Sequence, residues 1–362
     1  MKTMLTVLGT RPEIVKFSPL LPLLDRGCRH VLVHTGQHYD ENMDRIFFRE
    51  LKLKTPRHFL NVGSAGQGVQ TARMLERLEP IMLRARPCAV LVLGDTNSTL
   101  AGALVAAKLN IPVAHVEAGC RSFNRAMPEE KNRVMVDHVS DLLFAPDREA
   151  VQHLAGEGIV GAKIHLVGNT GLDATLRAMR LARKERLKRF GVKPGTYVLA
   201  TLHRAENTDD LPRFARLVEA INQISERVPV LFPIHPRTVA VLKRHRIKLG
   251  AGVSRLPPLG NLDFIALMRS ALFVMSDSGG IQEEAAVVNR PCLVLREDTE
   301  WTRLVEAGKN FLVGTRTADI VRVARRLLDS AELRRKIAGK KAPLSFGASQ
   351  KIMRILGQIA KT

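Results

Sequence analysis

Short apolar runs of four to six residues recur along the chain and alternate with longer segments whose apolar residues have helical spacing. A strand buried on both faces of a parallel sheet is apolar throughout, whereas a strand with one solvated face alternates with polar residues. The pattern therefore predicts an α/β fold with parallel sheets covered by helices on both faces. The ten predicted strands are 4–8, 30–34, 89–93, 112–116, 142–145, 164–167, 197–201, 229–234, 272–275 and 291–295.

These strands fall into two series, which predicts two doubly wound domains in a chain of 362 residues. The join is expected within 168–195, where a basic helix and the turn "GVKPGTY" separate the series. Two such sheets that face one another form a cleft lined by the carboxyl ends of their strands. Ligands of open α/β sheets bind at these ends.

Cysteine usage and hydropathy predict a cytoplasmic protein without membrane or metal partners. The four cysteines are scattered singly, which favours neither a disulfide framework nor a zinc site. No apolar run approaches the roughly 20 residues of a membrane-spanning helix. The segment "MKTMLTVLGTRPEIVK" is interpreted as a first strand and not as a signal peptide, because Gly9 soon ends its apolar core.

The net charge of +21 invites a nucleic-acid interpretation. The charge is concentrated in residues 177–193 and 316–361, both of which look like solvated faces of amphipathic helices. Aromatic residues make up only 4% of the chain, so stacking platforms for single strands are few. A nucleic-acid-binding module therefore stays as a remote alternative.

Unusual polar clusters follow three strands of the first series. The segment "GTRPEIVKFSPL" places Arg11 and Lys16 near a helix start, where anions bind, although a solvated first turn is the alternative. The segment "GDTNST" places Asp95 at a strand exit, as a pocket floor or a helix cap. The segment "HVEAGCRSFNRAMPEEKNR" carries Glu117 and Glu129 among basic residues.

Similar clusters follow strands of the second series. His203 and His235 come after two separate strands, in "LHRAEN" and "HPRT". The segment "SDSGGIQEEA" opens directly into a helix, and its two glycines allow a diphosphate to approach the backbone. The fingerprints of dinucleotide and P-loop sites are absent, as is the spacing of metal ligands, so no cofactor or metal is predicted.

The ordered motifs resemble those of the non-hydrolysing UDP-N-acetylglucosamine 2-epimerases over almost the whole chain. They are "GTRPEIVKFSPL", "TGQHYDENM", "GDTNSTLAGALVAAKL", "HVEAG", "MPEEKNR", "VGNTGLDA", "HRAEN" and "SDSGGIQEEA". The resemblance implies two Rossmann-like domains across a cleft, as in GT-B glycosyltransferases. It places them at 1–168 and 169–346, with a C-terminal helix of about 347–362 packed on the first domain. A homodimer is the usual state of the family.

The resemblance also implies reversible conversion of UDP-GlcNAc to UDP-ManNAc through elimination of UDP and a bound 2-acetamidoglucal, without a redox cofactor. Asp95, Glu117 and Glu129 match acid/base carboxylates, and which of them is acid or base stays open. His203 matches a histidine near the diphosphate. The residues that match substrate-binding positions are Arg11, Lys16, Arg133, His235, Phe264, Ser278, Gly279, Gly280 and Glu284.

Departures from the family pattern leave alternatives open. Trp301 stands where many members carry an arginine, and "QHYDENM" replaces the "QHREML" segment tied to activation by a second UDP-GlcNAc. Arginines in the loop 121–133, such as Arg121 and Arg125, suit the carboxylate of a UDP-2,3-diacetamido uronate as an alternative substrate. A UDP-sugar hydrolase or glycosyltransferase on the same scaffold is another alternative. Glu130 and Lys131 are interpreted as plain helix-start residues.

Overall fold

The computed structural model describes residues 2–37 and 41–359, and this part of the chain forms two parallel β-sheets. The chain divides into a first unit of residues 1–177 and 345–362 and a second unit of residues 178–344. Each unit has its own sheet and its own hydrophobic core.

The first unit has seven strands in the order β3-β2-β1-β4-β5-β6-β7. The strands are β1 Thr3–Leu8, β2 Arg29–His34, β3 His58–Phe59, β4 Ala89–Leu93, β5 Val113–Val116, β6 Leu142–Ala145 and β7 Ile164–Leu166. The helices are α1 Arg11–Phe17, α2 Leu21–Gly27, α3 Glu41–Glu50, α4 Gln67–Ala85, α5 Asn97–Lys108, α6 Pro128–Val139, α7 Arg148–Gly156 and α8 Thr170–Leu181.

The second unit has six strands in the order β10-β9-β8-β11-β12-β13. The strands are β8 Val198–Thr201, β9 Val230–Pro233, β10 Val253–Leu256, β11 Val274–Ser276, β12 Cys292–Val294 and β13 Asn310–Leu312. The helices are a 3-10 helix Lys184–Phe190, α9 Ala205–Thr208, α10 Leu211–Ser225, α11 Pro236–Arg244, α12 Asn261–Ser270, α13 Gly279–Val287, α14 Thr302–Glu306, α15 Thr317–Asp329 and α16 Ala331–Gly339. The last helix, α17 Ala348–Ile359, belongs to the first unit.

Both sheets have the strand order of doubly wound Rossmann folds, so the predicted α/β fold class is confirmed. The order reverses between β1 and β4 in the first sheet and between β8 and β11 in the second. Helices leave adjacent strands there toward opposite faces, which opens a crevice at the carboxyl ends of the strands.

All ten predicted strands are present, and three further strands, β3, β10 and β13, were not predicted. Each of the three lies at an edge of its sheet. An edge strand needs less apolar sequence because it has only one neighbouring strand. In β10, for example, Ser254 and Arg255 are exposed.

The basic stretch 177–193 does not form the single helix that its pattern predicts. Helix α8 ends at Leu181, and a 3-10 helix follows over Lys184–Phe190. Within it, Arg186 and Arg189 both bind the carboxylate of Asp263, at 2.5 and 2.8 Å. Part of the charge that suggested nucleic acid is therefore used in pairs within the chain.

Helix α5 packs very closely against β1 and β4, on either side of the reversal in strand order. A Cβ atom on Gly102 would lie 3.0 Å from Val92 Cγ1 and 3.1 Å from Val7 Cβ. Glycine at this position thus lets the helix axis approach the sheet. The start of α5 is consequently held beside the carboxyl end of β1, where the polar motifs lie.

Helix α17 is attached to the first unit by a carboxylate from α8. The Asp173 carboxylate accepts hydrogen bonds from the N–H groups of Gly347 and Ser349, both at 2.8 Å. These are orphan donors of a helix start, and Asp173 is only 8% exposed. The cap thus comes from a distant segment of the chain.

We expect Asp173→Ala to loosen α17, because it leaves two buried donors without an acceptor. The loss is about 1–3 kcal/mol in the free energy of opening α17. Amide hydrogen exchange over residues 348–359, read by mass spectrometry, measures it. Asp329→Ala is the control, because the Asp329 pair with Arg227 is exposed. Equal exchange in both variants would contradict the assignment.

Candidate functional site

The sequence-predicted site residues lie in the loops at the carboxyl ends of parallel strands or on the helices that follow these loops. In the first unit they follow β1, β4 and β5, and in the second they follow β8, β9, β10 and β11. These loops surround the two points where the strand order reverses. Each unit therefore carries a polar cluster in the position that open α/β sheets use for ligands.

In the first unit, a buried carboxylate joins the loop after β1 to the start of α5. Glu13 is 2% exposed and accepts hydrogen bonds from the N–H groups of Gly9 and Thr10, at 2.9 and 2.7 Å. Its other oxygen accepts from the hydroxyls of Thr96 and Thr99, at 2.9 and 3.1 Å. Burial raises the pKa of Glu13, although these hydrogen bonds oppose the increase. Glu13 is not among the residues that the sequence predicts for the site, because its partners in α5 are more than 80 positions away in the chain.

Lys16 and Glu117 form an ion pair across the first-unit cluster. Lys16 Nζ lies 2.7 Å from Glu117 Oε2, and the side chains are 38% and 15% exposed. Burial by itself lowers the pKa of Lys16, but the negative charges of Glu117 and Asp95 raise it overall. Lys16 therefore stays cationic beside the carboxylate at the end of β5.

Glu117 has an unusual backbone conformation. Its φ is +67°, in the left-handed region that residues with a Cβ atom rarely adopt. Its N–H group and that of Ala118 both donate to the carbonyl oxygen of Phe144, at 3.1 and 3.2 Å. Strained residues of this kind persist only where their surroundings hold them, and they concentrate at functional sites.

Arg133 binds the second carboxylate of the cluster. Its guanidinium lies 2.5 Å from Asp95 Oδ2 and 2.7 Å from Glu130 Oε2. Asn132 also reaches the Asp95 segment, because its amide donates to the Asp95 carbonyl oxygen at 2.9 Å. Helix α6 thus holds the loop after β4 through two adjacent side chains.

The interpretation of Glu130 as a plain helix-start residue is wrong. Glu130 is 4% exposed and accepts from the N–H groups of Ser122 and Phe123, at 2.9 and 2.8 Å. Burial alone would raise the pKa of Glu130, but these hydrogen bonds and the Arg133 pair lower it to about 2. Its neighbour Glu129, the predicted acid/base residue, is exposed in the first turn of α6.

Arg121 is not available to bind a substrate carboxylate, contrary to the expectation for a uronate. Its side chain is 1% exposed, and it lies 2.8 Å from Asp137 Oδ2 and 2.7 Å from Glu157 Oε1. Two protein carboxylates therefore occupy its guanidinium. Arg125, in the same loop, is exposed.

In the second unit, Asp277 holds the loop that carries His203. Asp277 is fully buried and accepts hydrogen bonds from the N–H groups of His203 and Arg204 and from the Asn207 amide, all at about 3 Å. His203 Nδ1 lies 3.3 Å from the same carboxylate. Burial would raise the pKa of Asp277, but these partners lower it, so the carboxylate stays ionised.

The two predicted histidines come together. The ring centroids of His203 and His235 are 5.9 Å apart. Burial, the charge of His203 and that of Arg237 lower the pKa of His235. His203, by contrast, lies against the buried Asp277 carboxylate, which orients its ring.

Helix α13 starts at the carboxyl end of β11, which is next to β8 in the sheet, and the N–H group of Ser278 donates to Ser276 Oγ at 3.0 Å. Ser278 is the N-cap residue, and α13 begins at Gly279. A Cβ atom on Gly279 would lie 2.2 Å from Glu300 Oε1, whereas one on Gly280 would meet nothing within 4 Å. The helix start is therefore closely approached on one side and open on the other, as an anion site requires.

The loop 296–301 brings charged side chains to this helix start. It also brings Trp301, which stands where the family pattern has an arginine. Arg296 lies 2.6 Å from Glu300 Oε2 and 3.1 Å from Glu206 Oε1. Trp301 Nε1 is buried and has no hydrogen-bond partner among the described residues. It lies 3.4 Å from the Cβ position of Gly279, so an indole N–H stands where an arginine was expected.

The remaining predicted residues are placed as follows. Arg11 lies on α1 with its guanidinium carbon 5.8 Å from the centre of the Phe47 ring. Phe264 on α12 and Glu284 on α13 are both half-buried. The departure in "QHYDENM" falls partly on residues 38–40, outside the described residues.

Chemically, the first cluster pairs carboxylates with cations and suits proton transfer, while the second offers imidazoles and helix N–H groups and suits a phosphate. Within residues 2–37 and 41–359, no three His, Cys, Asp or Glu side chains are grouped so that they hold a metal ion. Among the helices of that same part, none is long and apolar enough to cross a bilayer.

Comparison with known proteins identifies similar chains of the same length. A family model described as UDP-N-acetylglucosamine 2-epimerase matches residues 24–357. A UDP-N-acetylglucosamine 2-epimerase of Methanococcus maripaludis is 46% identical over 334 residues, which cover 90% of this chain and 91% of that one. A UDP-2,3-diacetamido-2,3-dideoxy-D-glucuronate 2-epimerase of Pseudomonas aeruginosa is 44% identical, with 89% and 91% covered. The crystal structure of Methanocaldococcus jannaschii UDP-GlcNAc 2-epimerase with UDP-GlcNAc and UDP matches with a TM-score of 0.81 and 43% identity, covering 99% of this chain and 100% of that one.

We expect Glu130→Gln to destabilise the chain in a pH-dependent way. The pKa of Glu130 is about 2 in the folded chain against an ordinary 4.5, so its stabilising effect is present above about pH 4.5 and lost as the pH falls toward about 2. Urea unfolding should show a deficit of roughly 3 kcal/mol at neutral pH that shrinks in acid. The exposed Glu129→Gln is the control, and a pH-independent deficit would contradict the lowered pKa.

Proposed function

The chain belongs to the UDP-N-acetylglucosamine 2-epimerase family, and from this we propose that it catalyses reversible epimerisation at C2 of a UDP-N-acetylhexosamine, UDP-GlcNAc to UDP-ManNAc. The observation that carries the proposal is the first-unit cluster. There Lys16 pairs with Glu117, and Arg133 pairs with Asp95, at the carboxyl ends of adjacent strands. Such a cluster supplies ionised carboxylates for proton transfer.

The reaction we propose couples removal of the weakly acidic C2 proton to the departure of UDP, because removal of that proton alone would be slow. A carboxylate takes the C2 proton while the bond from C1 to the diphosphate oxygen breaks, which gives UDP and a 2-acetamidoglucal. A protonated group then returns a proton to C2 from the other face as UDP adds again at C1. No electrons are gained or lost overall, so the chemistry needs no redox cofactor.

In this proposal Asp95, Glu117 and Glu129 are the acid/base residues. Lys16 and Arg133 support the assignment because they pair with two of these carboxylates and bring positive charge to an anionic substrate. Arg11 adds a cation on the same helix as Lys16.

The second-unit cluster binds the UDP part of the substrate in the same proposal. Gly279 and Gly280 offer N–H groups at the start of α13, Ser278 offers its hydroxyl, and the histidines follow neighbouring strands of the same sheet. His203 binds the leaving diphosphate, and Asp277 orients its ring. The other residues assigned to substrate binding are His235, Phe264 against uracil and Glu284 at the ribose hydroxyls.

Homodimerisation and a cytoplasmic location are also part of the proposal, and both rest on the family resemblance. The domains proposed for the activity are 1–168 and 169–346, with a C-terminal helix of about 347–362 on the first.

A second candidate substrate is a UDP-2,3-diacetamido uronate, because the Pseudomonas aeruginosa relative with 44% identity bears that name. Arg121 gives this candidate no support, since two carboxylates already bind it. Arg125 is exposed and is the arginine of that loop that remains as a contact for the uronate carboxylate.

We expect the protein to convert UDP-GlcNAc to a mixture with UDP-ManNAc in D2O, with deuterium at C2 of the product. NMR of the products, with the diacetamido uronate in a parallel reaction, measures this. Retention of the original C2 proton would exclude elimination. Stoichiometric release of UDP with free ManNAc would instead indicate a hydrolase, and conversion of the uronate alone would assign the second candidate.

We expect Asp95→Asn, Glu117→Gln and Glu129→Gln each to lower kcat by a factor of roughly 100 or more, because each removes a proton-transferring group. The dissociation constant for UDP should change little, since the second unit binds UDP. Steady-state kinetics and calorimetric titration with UDP measure the two effects. Glu157→Gln is a control carboxylate outside the cluster, and a variant with near-normal kcat would remove that residue from the acid/base set.

A further inference from the structure

A buried histidine beneath the first-unit cluster has hydrogen-bond partners on both ring nitrogens. His115 is fully buried in β5; its Nδ1 lies 2.7 Å from Asp137 Oδ1 and its Nε2 lies 2.8 Å from the carbonyl oxygen of Gly94. A carbonyl oxygen and a carboxylate only accept hydrogen bonds. Each ring nitrogen of His115 therefore has an acceptor within hydrogen-bond distance.

The carboxylate of Asp137 serves several donors at once. Besides His115, it accepts from the N–H group of Gly119 at 3.0 Å and from Arg121 at 2.8 Å. Burial alone would raise the pKa of Asp137, but the positive charges of His115 and Arg121 lower it. One buried anion therefore joins two cations and the loop that follows β5.

The partners of this pair belong to the three segments that carry the proposed acid/base carboxylates. Gly94 directly precedes Asp95, and His115 and Gly119 stand two residues on either side of Glu117. Asp137 lies on α6, two helical turns after Glu129. The pair thus connects the ends of β4 and β5 to α6 from below the cluster.

The strain at Glu117 indicates why such a connection is needed. A left-handed residue with a Cβ atom relaxes unless its flanks are fixed. Here His115 fixes the chain before Glu117, and the bond from Gly119 to Asp137 fixes it after Glu117.

We propose that the His115–Asp137 pair is a positioning element for the reaction, which holds the segments of Asp95, Glu117 and Glu129 at their working separations without touching substrate. The proposal rests on the proposed epimerase function. Catalytic groups must be held to within about 0.5 Å, and misplacement by about 1 Å costs about 100-fold in rate. The pair should therefore affect turnover much more than binding.

The matched control is His30, which has the same kind of surroundings near the amino end of β2. Its Nδ1 lies 2.8 Å from Asp25 Oδ1, its Nε2 lies 3.0 Å from Thr6 Oγ1, and its side chain is 3% exposed. His30→Ala therefore reports the general effect of losing a buried histidine–carboxylate pair in the same unit.

We expect His115→Ala and Asp137→Asn to lower kcat by about 100-fold, with KM and the dissociation constant of UDP within about 3-fold of wild type. His30→Ala should keep kcat within about 3-fold of wild type, although its loss of thermal stability should be comparable to that of His115→Ala. His115→Asn retains a donor toward Asp137 and His115→Gln retains one toward Gly94, so both should recover part of kcat relative to His115→Ala. Equal kcat in His115→Ala and His30→Ala would overturn the proposal.

Amide hydrogen exchange without substrate separates this proposal from the proposed function and stays decisive if His115→Ala is inactive or poorly folded. In the conservative variants His115→Asn and His115→Gln, exchange should quicken in residues 94–97 and 117–121 and stay unchanged around His30. Unchanged exchange in both segments would overturn the positioning role, even in a fully active enzyme. If wild type shows no epimerisation in D2O, the proposed function fails, while the exchange result still decides whether the pair holds these segments.

Discussion

The hydrogen bonds of the Glu13 carboxylate are the interaction on which the first-unit cluster most depends. They connect the turn after β1 with the start of α5, across the point where the strand order reverses. The crevice at such a point is a consequence of the strand order. The sheet itself does not connect the two loops that form its sides. A buried acceptor with donors on both sides closes that gap, so Lys16 on α1 and Asp95 before α5 keep a defined separation.

In both units, the same type of residue holds the loops at the carboxyl ends of the strands. In each, a buried carboxylate accepts backbone N–H groups from the loops that present charged side chains: Glu13 and Asp137 in the first unit, Asp277 in the second. A buried carboxyl group is costly unless its oxygens are hydrogen-bonded, and each of these three has partners on both oxygens. Loops on an α/β scaffold are otherwise its most mobile parts, so these acceptors convert variable connections into rigid ones.

The strands, their parallel arrangement and the residues at their ends could be predicted from sequence, because a strand buried on both faces is apolar throughout. The edge strand β10 could not be predicted, because the exposed polar residues Ser254 and Arg255 interrupt its apolar pattern. The motif residues could be located by resemblance, but their partners could not. Glu129 and Glu130 are chemically identical neighbours, and only the fold of the loop 121–127 around α6 decides which one is buried. The same holds for Arg121, whose partner Glu157 is distant in sequence.

The backbone of Glu117 has a consequence for how this chain tolerates change. Glycine adopts a φ of +67° without strain, so a chain selected for stability alone would carry glycine at this position. In the proposed mechanism, glutamate at this position is a stability–activity trade-off at a single residue. Engineering for stability alone would favour its replacement by glycine, so position 117 should be kept fixed when the chain is stabilised.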